Sequence, residues 1–196
     1  MNEIQFKKIL HRGKRLYADG MTGHDKCLSV LEQTPSILGS LLSGMPEDDL
    51  QWQPSPERWS ISMVLAHLAD VEVKGFRSRF EAMAGQDEPF LASYDPGALF
   101  DARRNRPGGL FYVSARELAK FRDLRADNLR WIRGVPADAY TRTGKHEEFG
   151  TISFEQLLNE FAFHDLGHIR QIMELYRSHA FYPNMGSFQS IYRINP

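Results

Sequence analysis

One stripe of side chains restricts this chain more than any other feature of its sequence. Phe154, Leu157, Phe161, His164, His168, Ile172 and Leu175 follow one another at steps of three or four residues, the repeat of one face of an α-helix. Ser153 and Gln156 precede it as a capping box, in which each side chain satisfies a backbone donor that the first helical turn leaves open. No proline interrupts the run before about His179. A helix of that length must bury its stripe against other helices, and this stripe contains two histidines.

The remaining sequence supplies the partners. Thr34 as a cap, Pro35 in the first turn, and Ile37, Leu38, Leu41 and Leu42 predict a helix that stops near Gly44 and Pro46. "EDDLQWQPSPERWS" reads as an ordered loop packed by its tryptophans. Ser60 then caps a longer helix carrying Ile61, Val64, Leu65, Leu68, Val71, Phe76, Phe80 and Met83, with His67 on the flank of that stripe. Ser114 and Glu117 form a second capping box, opening a helix through Leu118, Phe121, Leu124 or Arg125, Leu129 and Ile132 that Gly134 and Pro136 end. The connection over 85–113 is rich in glycine, proline and aromatic residues, and loops so long in a compact domain are often functional. "YTRTGKHEEFGTI" reads as a turn-rich link or a small hairpin. Four substantial helices with almost no strand pattern indicate an all-α fold, a four-helix bundle with long ordered loops.

A chain of 196 residues makes one domain the first expectation, placed at 27–196. Residues 1–26 read as a basic N-terminal arm through Lys7, Lys8, Arg12, Lys14 and Arg15; removal of residues 1–20 is expected to leave the melting temperature nearly unchanged. The formal charge of -1 provides no general field for nucleic acid or an anionic membrane. No apolar run approaches the ~20 residues of a membrane-spanning helix. The single cysteine, Cys27, excludes an internal disulfide, and with no secretory leader pattern a reducing cytoplasm is the expected compartment.

His164 and His168 lie four apart on the buried face, where Cβ atoms are ~6 Å from each other. A buried imidazole without a partner costs at least ~1–3 kcal/mol, so an inward pair needs compensation. Separate hydrogen bonds to neighbouring groups are one answer; a shared divalent ion is the other, and the spacing favours it. A third ligand must come from another helix, and His67 is the other histidine placed centrally in an amphipathic helix. His146 would need a sharp fold-back, His11 and His24 lie in the arm, and His179 belongs to a helix end. Three neutral imidazoles suit zinc, nickel, iron or copper and leave positions open for water or substrate. Glu160, Asp165, Asp70 and Glu72 are candidate partners for the free ring nitrogens, and Gln171 stands three residues after His168. Gly167 in mid-helix suggests another helix passing close by. A ferritin-like di-iron site is set aside, because the residues before His67 read "MVLAH" and Glu160 is four, not three, before His164.

"TPSILGSLLSGM", "RWSISMVLAHLADVE" and "GKHEEFGTISFEQLLNEFAFHDLGHIRQIMEL" resemble, in order and spacing, the DinB-like superfamily, which includes bacillithiol- and mycothiol-dependent S-transferases. The resemblance covers roughly residues 28 to 180 and places His67, His164 and His168 at the metal-ligand positions. It implies an up-down-down-up bundle, commonly a homodimer, with a divalent ion, nickel or zinc foremost and iron, manganese or copper also open. It further implies a small-molecule thiol activated on that ion and passed to an electrophile, or a related hydrolysis or isomerisation. The alternative is a nonenzymatic metal-binding stress-response module. Arg103, Arg104 and Arg106 in the long connection are candidates to face an anionic thiol or acidic substrate, against the plainer reading of solvated loop charge.

Overall fold

The computed structural model of the chain describes residues 21–97, 101 and 113–196. Helix α1 spans Gly23–Leu41 and a short α2 spans Glu47–Gln51. Helix α3, Ile61–Val71, continues through a π-helical turn, Glu72–Arg77, into α4, Ser78–Gly85, so the three form one rod. Helix α5 covers Ser114–Arg133 and α6 covers Phe154–Tyr176. A small three-stranded sheet is built from β1, Phe90–Leu91, β2, Thr143–His146, and β3, Gly150–Ser153. Strands β2 and β3 form an antiparallel hairpin, and β1 lies parallel to β2, pairing Leu91 with His146.

Side-chain contacts give the direction of each helix. Ser62 meets Ser114, Asp70 pairs with Lys120 and Arg77 with Asn128, so the α3–α4 rod and α5 run parallel. Cys27 meets Asn159, and farther along Ile37 shares a cavity wall with Ile169, so α1 and α6 also run parallel. His67 faces His164 while Phe80 faces Phe154, which makes α6 antiparallel to the rod. Up, down, down, up is the resulting order, and the long connection after residue 85 is the crossover that two parallel neighbours require.

All eight apolar positions expected for the rod are buried, Ile61, Val64, Leu65, Leu68, Val71, Phe76, Phe80 and Met83. On α6 the five apolar members of the stripe are buried as well, and the Ser153–Gln156 capping box forms with both its hydrogen bonds. Two apolar clusters result. One gathers Leu31, Phe76, Phe80, Leu129, Phe154 and Phe161; the other gathers Leu38, Leu65, Leu68, Phe121, Ile172 and Leu175.

Two expectations about helix starts fail. Helix α1 begins at Gly23, under a capping box of Thr22 and Asp25, and not at Thr34. Its inward face is Cys27, Leu28, Leu31, Thr34 and Leu38, which leaves Ile37 at the surface. Thr34 instead donates its hydroxyl to the Val30 carbonyl, and Pro35 lies inside the helix. His24 belongs to the first turn of α1, edge-on to Tyr140, so the bundle reaches into residues assigned to the arm. Ser114 does not cap α5; Val113 holds that position without a side-chain bond, and the Ser114 hydroxyl donates to Glu47 of α2 and touches Ser62.

Candidate metal centre

His67 projects from α3, and His164 and His168 project from α6, where the two apolar clusters meet. The Nε2 atom of His164 lies 3.1 Å from Nε2 of His67 and 3.1 Å from Nε2 of His168. All three ligand atoms fall within 4.8 Å of one another. Two imidazole nitrogens bound to one ion at ~2.0–2.1 Å stand a little over ~3 Å apart, close to the spacing found.

Hydrogen bonding does not account for this arrangement. Nε2 of His164 has either one proton or one in-plane lone pair, so it satisfies at most one of its two neighbours. The Gln171 carbonyl oxygen lies 2.8 Å from Nδ1 of His168, and as an acceptor it receives a hydrogen bond from a protonated Nδ1. That leaves the neutral ring's lone pair on Nε2, facing His164. The Nδ1 atoms of His67 and His164 are buried with no hydrogen-bond partner. A cation sharing three Nε2 lone pairs resolves the crowding and sets all three rings in one tautomer; the residues therefore fit a divalent ion.

Their protonation points the same way. Burial lowers the His67 pKa to about 3, reinforced by His168. Burial together with the His168 and His67 rings lowers His164 to about 2. Burial also lowers His168, partly offset by Gln171. The rings are neutral at pH 7, as ligation requires.

Two cavities open on the trio, and Glu160, His164 and His168 line both. The larger, about 790 Å³, continues past Gln171 to arginines and the segment 193–195. The smaller, about 360 Å³, is walled by Trp59, Phe76, Tyr94 and Phe149, with Arg79, His146 and Glu148. Trp59 and Tyr94 flank the His67 ring at centroid distances of 5.1 and 6.1 Å. Glu160 reaches solvent at the cavity mouth, yet the surrounding protein raises its carboxyl pKa against the pull of Arg79.

The candidate ring partners separate. Gln171 touches His168; Asp70 forms an ion pair with Lys120 at 2.9 Å, and its charge also favours the protonated form of His67. Glu72 and Asp165 turn to Arg125, at 2.6 Å each. That guanidinium is fully buried, donates also to the Leu31 carbonyl, and packs on the rings of Phe121 and Phe161. The paired carboxylates hold Arg125 firmly charged, whereas burial raises Glu72. Gly167 does not mark a helix approach, since a Cβ built there meets nothing within 4 Å; it borders the larger cavity. Arg103, Arg104 and Arg106 lie outside the described residues.

Sequence reasoning missed the aromatic wall; it set His146 aside as a ligand, and His146 stays outside the trio. The β2–β3 hairpin provides the fold-back that brings His146 into the smaller cavity, where its Nδ1 accepts from the Glu148 amide and the ring stays outside the trio. The small hairpin that "YTRTGKHEEFGTI" allowed is formed; the cavity that it walls was not legible in the sequence. His179, set aside as a helix-end group, stacks on Trp52 and lies 3.2 Å from Asp49.

A helical bundle with crossed connectivity and three histidines converging from two helices defines a class. The model of the DinB superfamily matches residues 30–172, and the chain belongs to that superfamily. It is 26% identical over 157 residues to YfiT of Bacillus subtilis (strain 168), an alignment covering 78% of this chain and 84% of that protein. The solved structure of YfiT superposes with a TM-score of 0.69 at 22% identity, covering 83% of this chain and 91% of that one. That structure is described as "a probable metal-dependent hydrolase with an unusual four-helix bundle topology".

Proposed function

We propose that the protein is a divalent-metal-dependent enzyme that transfers a group of a small molecule to a nucleophile, with His67, His164 and His168 holding the ion. The observation that carries this reading is the 3.1 Å spacing of neutral imidazole nitrogens at a point where two cavities meet. An ion bound there supplies a Lewis-acid centre that makes a water or thiol a competent nucleophile near neutral pH. Gln171 fixes the His168 tautomer and ring direction. Glu160, with its raised carboxyl pKa and its place in both cavities, takes up the proton that the nucleophile loses. Trp59, Phe76 and Tyr94 give one side of the site an aromatic wall.

Hydrolysis, with water as nucleophile, is the chemistry attached to YfiT. Transfer to a thiol is the reading we favour, because the chain offers two chemically distinct cavities, room for two organic substrates, and hydrolysis needs one. An ion that merely braced the bundle would not need open cavities at His164 and His168. Nickel and zinc both suit three imidazoles.

Elemental analysis of the protein purified in wild type and as His168→Ala tests the ligand set. The expected result is about one ion per chain in wild type and a large loss in the variant; equal content in both removes the proposal. Turnover of a reactive aromatic chloride with bacillithiol, mycothiol or glutathione, run beside ester hydrolysis without thiol, then separates transfer from hydrolysis.

A further inference from the structure

The two cavities that share the histidines differ in chemistry. The smaller is aromatic; the larger is cationic. Arg58 from the loop before α3, Arg170 and Arg177 from α6 and the turn after it, and Arg193 from the C-terminal segment all border the larger one. Its carboxylates are Glu160 and Glu174. Glu174 is already spent, bonded to Arg177 at 2.5 Å and to the Asn195 amide at 2.7 Å. Glu160 lies in the field of Arg79, which lines the smaller cavity. Among the described residues no carboxylate stands within ion-pair reach of Arg58, Arg170 or Arg193.

Solvation alone would explain arginines scattered over a surface. These reach solvent, yet all four line one open cavity of about 790 Å³ that His164, His168 and Gln171 also line. Its far wall is pinned: Arg177 donates to the Arg193 carbonyl as well as to Glu174, which ties residues 193–195 across the end of α6. Gly167 keeps the wall free of a side chain where a Cβ would meet nothing. Guanidinium groups match carboxylate and phosphate in planarity and donor spacing, and they lose less hydration than ammonium groups do.

We propose that the larger cavity is the binding site for an anionic small molecule, a di- or tricarboxylate or a phosphate ester, held by Arg58, Arg170 and Arg193 with its reacting end over His164 and His168. This deepens the reading of the histidines as the reacting centre and rests on it. The aromatic cavity then receives the apolar part of the second substrate, and the two meet at the residues both cavities share.

Calorimetric titration of the metal-loaded protein with succinate and with inorganic phosphate, and with neutral succinamide as control, tests it. Metal content is measured on each sample, so loss of the ion and loss of anion binding are read separately. The expected result is saturable binding of at least one anion that weakens with added salt, no binding of succinamide, and about a tenfold weaker affinity in R58Q/R170Q at unchanged metal content. Phosphate alone binding assigns a phosphorylated substrate, and succinate alone assigns a polycarboxylate. Binding of neither anion, equal affinity in the variant, or equal binding of succinamide overturns the proposal.

Discussion

A histidine in a core must be neutral, hydrogen-bonded or ligated; all three rings of the trio are neutral, and His168 is also bonded to Gln171. The trio's protonation makes a prediction with a definite sign. In the unfolded chain each ring binds a proton as the pH falls below about 6.5. In the folded chain His67 and His164 resist until about 3 and about 2, and His168 is lowered as well. Their contribution is intact above pH 6.5 and is lost as pH falls toward those values, at up to ~1.4 kcal/mol per pH unit for each fully depressed ring. Urea midpoints of the metal-free protein should therefore decline between pH 6.5 and 5. Asp25 and Glu174, whose carboxyls are held low, withdraw their contributions only at more acid pH. A His67→Phe/His164→Phe variant, if folded, should show a flatter decline; an unchanged slope would refute the assignment. Glu160→Gln keeps the shape and removes the proposed proton acceptor. It should lower kcat by ~10²-fold or more and abolish the acidic limb of the pH–rate profile, with metal content unchanged.

Elements follow their sequence signals where the signal is periodic and depart where one residue has a better partner. Ser153 found no competitor and caps α6; Ser114 had Glu47 and Ser62 within reach and left its cap. Pro35 looked like a first-turn residue, which hid the roughly three turns of α1 before it, although Thr22 and Asp25 carry the same capping pattern used elsewhere. The π turn did leave a trace, for Val71 and Phe76 are five residues apart in a stripe otherwise stepping by three and four. That extra residue turns Phe76 onto the His164 ring, edge to face at 5.5 Å, and sends Glu72 into the core toward Arg125. Arg125 appeared only as the alternative to Leu124 on the inward face of α5, because sequence alone cannot show that two acids from other helices await it. Removing the guanidinium strands both. Arg125→Met should cost ~3–5 kcal/mol by urea denaturation at pH 7.5. The deficit should shrink at pH 5.5, since Glu72, whose carboxyl burial raises, loses the guanidinium that opposes that shift and gains stability by taking up a proton. A loss under ~1 kcal/mol would mean that the network contributes little.

Across the whole molecule, these residues form a polar layer through the middle of the bundle. His67, His164 and His168 on one side and Glu72, Arg125, Asn128 and Asp165 on the other stand between the Phe76–Phe161 cluster and the Leu65–Ile172 cluster. A well-packed apolar layer of the same volume is often as stable or more so, so stability alone does not account for this layer. The bundle and the histidines could be read from periodicity; the cavities could not, since their walls come from the hairpin, the loop before α3 and the residues after α6. The same division decides what chelation does. Both apolar clusters form without any contact that an ion supplies, and the Arg125 network ties α1, the rod, α5 and α6 together independently. Helix content should thus survive metal removal. An ion that binds only the folded state adds RT ln(1 + [L]/Kd), about 2.7 kcal/mol at a free concentration of 100 Kd. For a chain of this size that is a shift of roughly 5–10 °C in Tm. Chelated protein should keep its far-UV circular dichroism and a cooperative melt, lowered by about that amount and restored by added nickel or zinc. A zinc-finger-like site, where ~10–16 kcal/mol of binding is the folding energy itself, predicts instead that helix signal collapses on chelation, and that outcome would make the ion a brace for the fold rather than a reagent held by it.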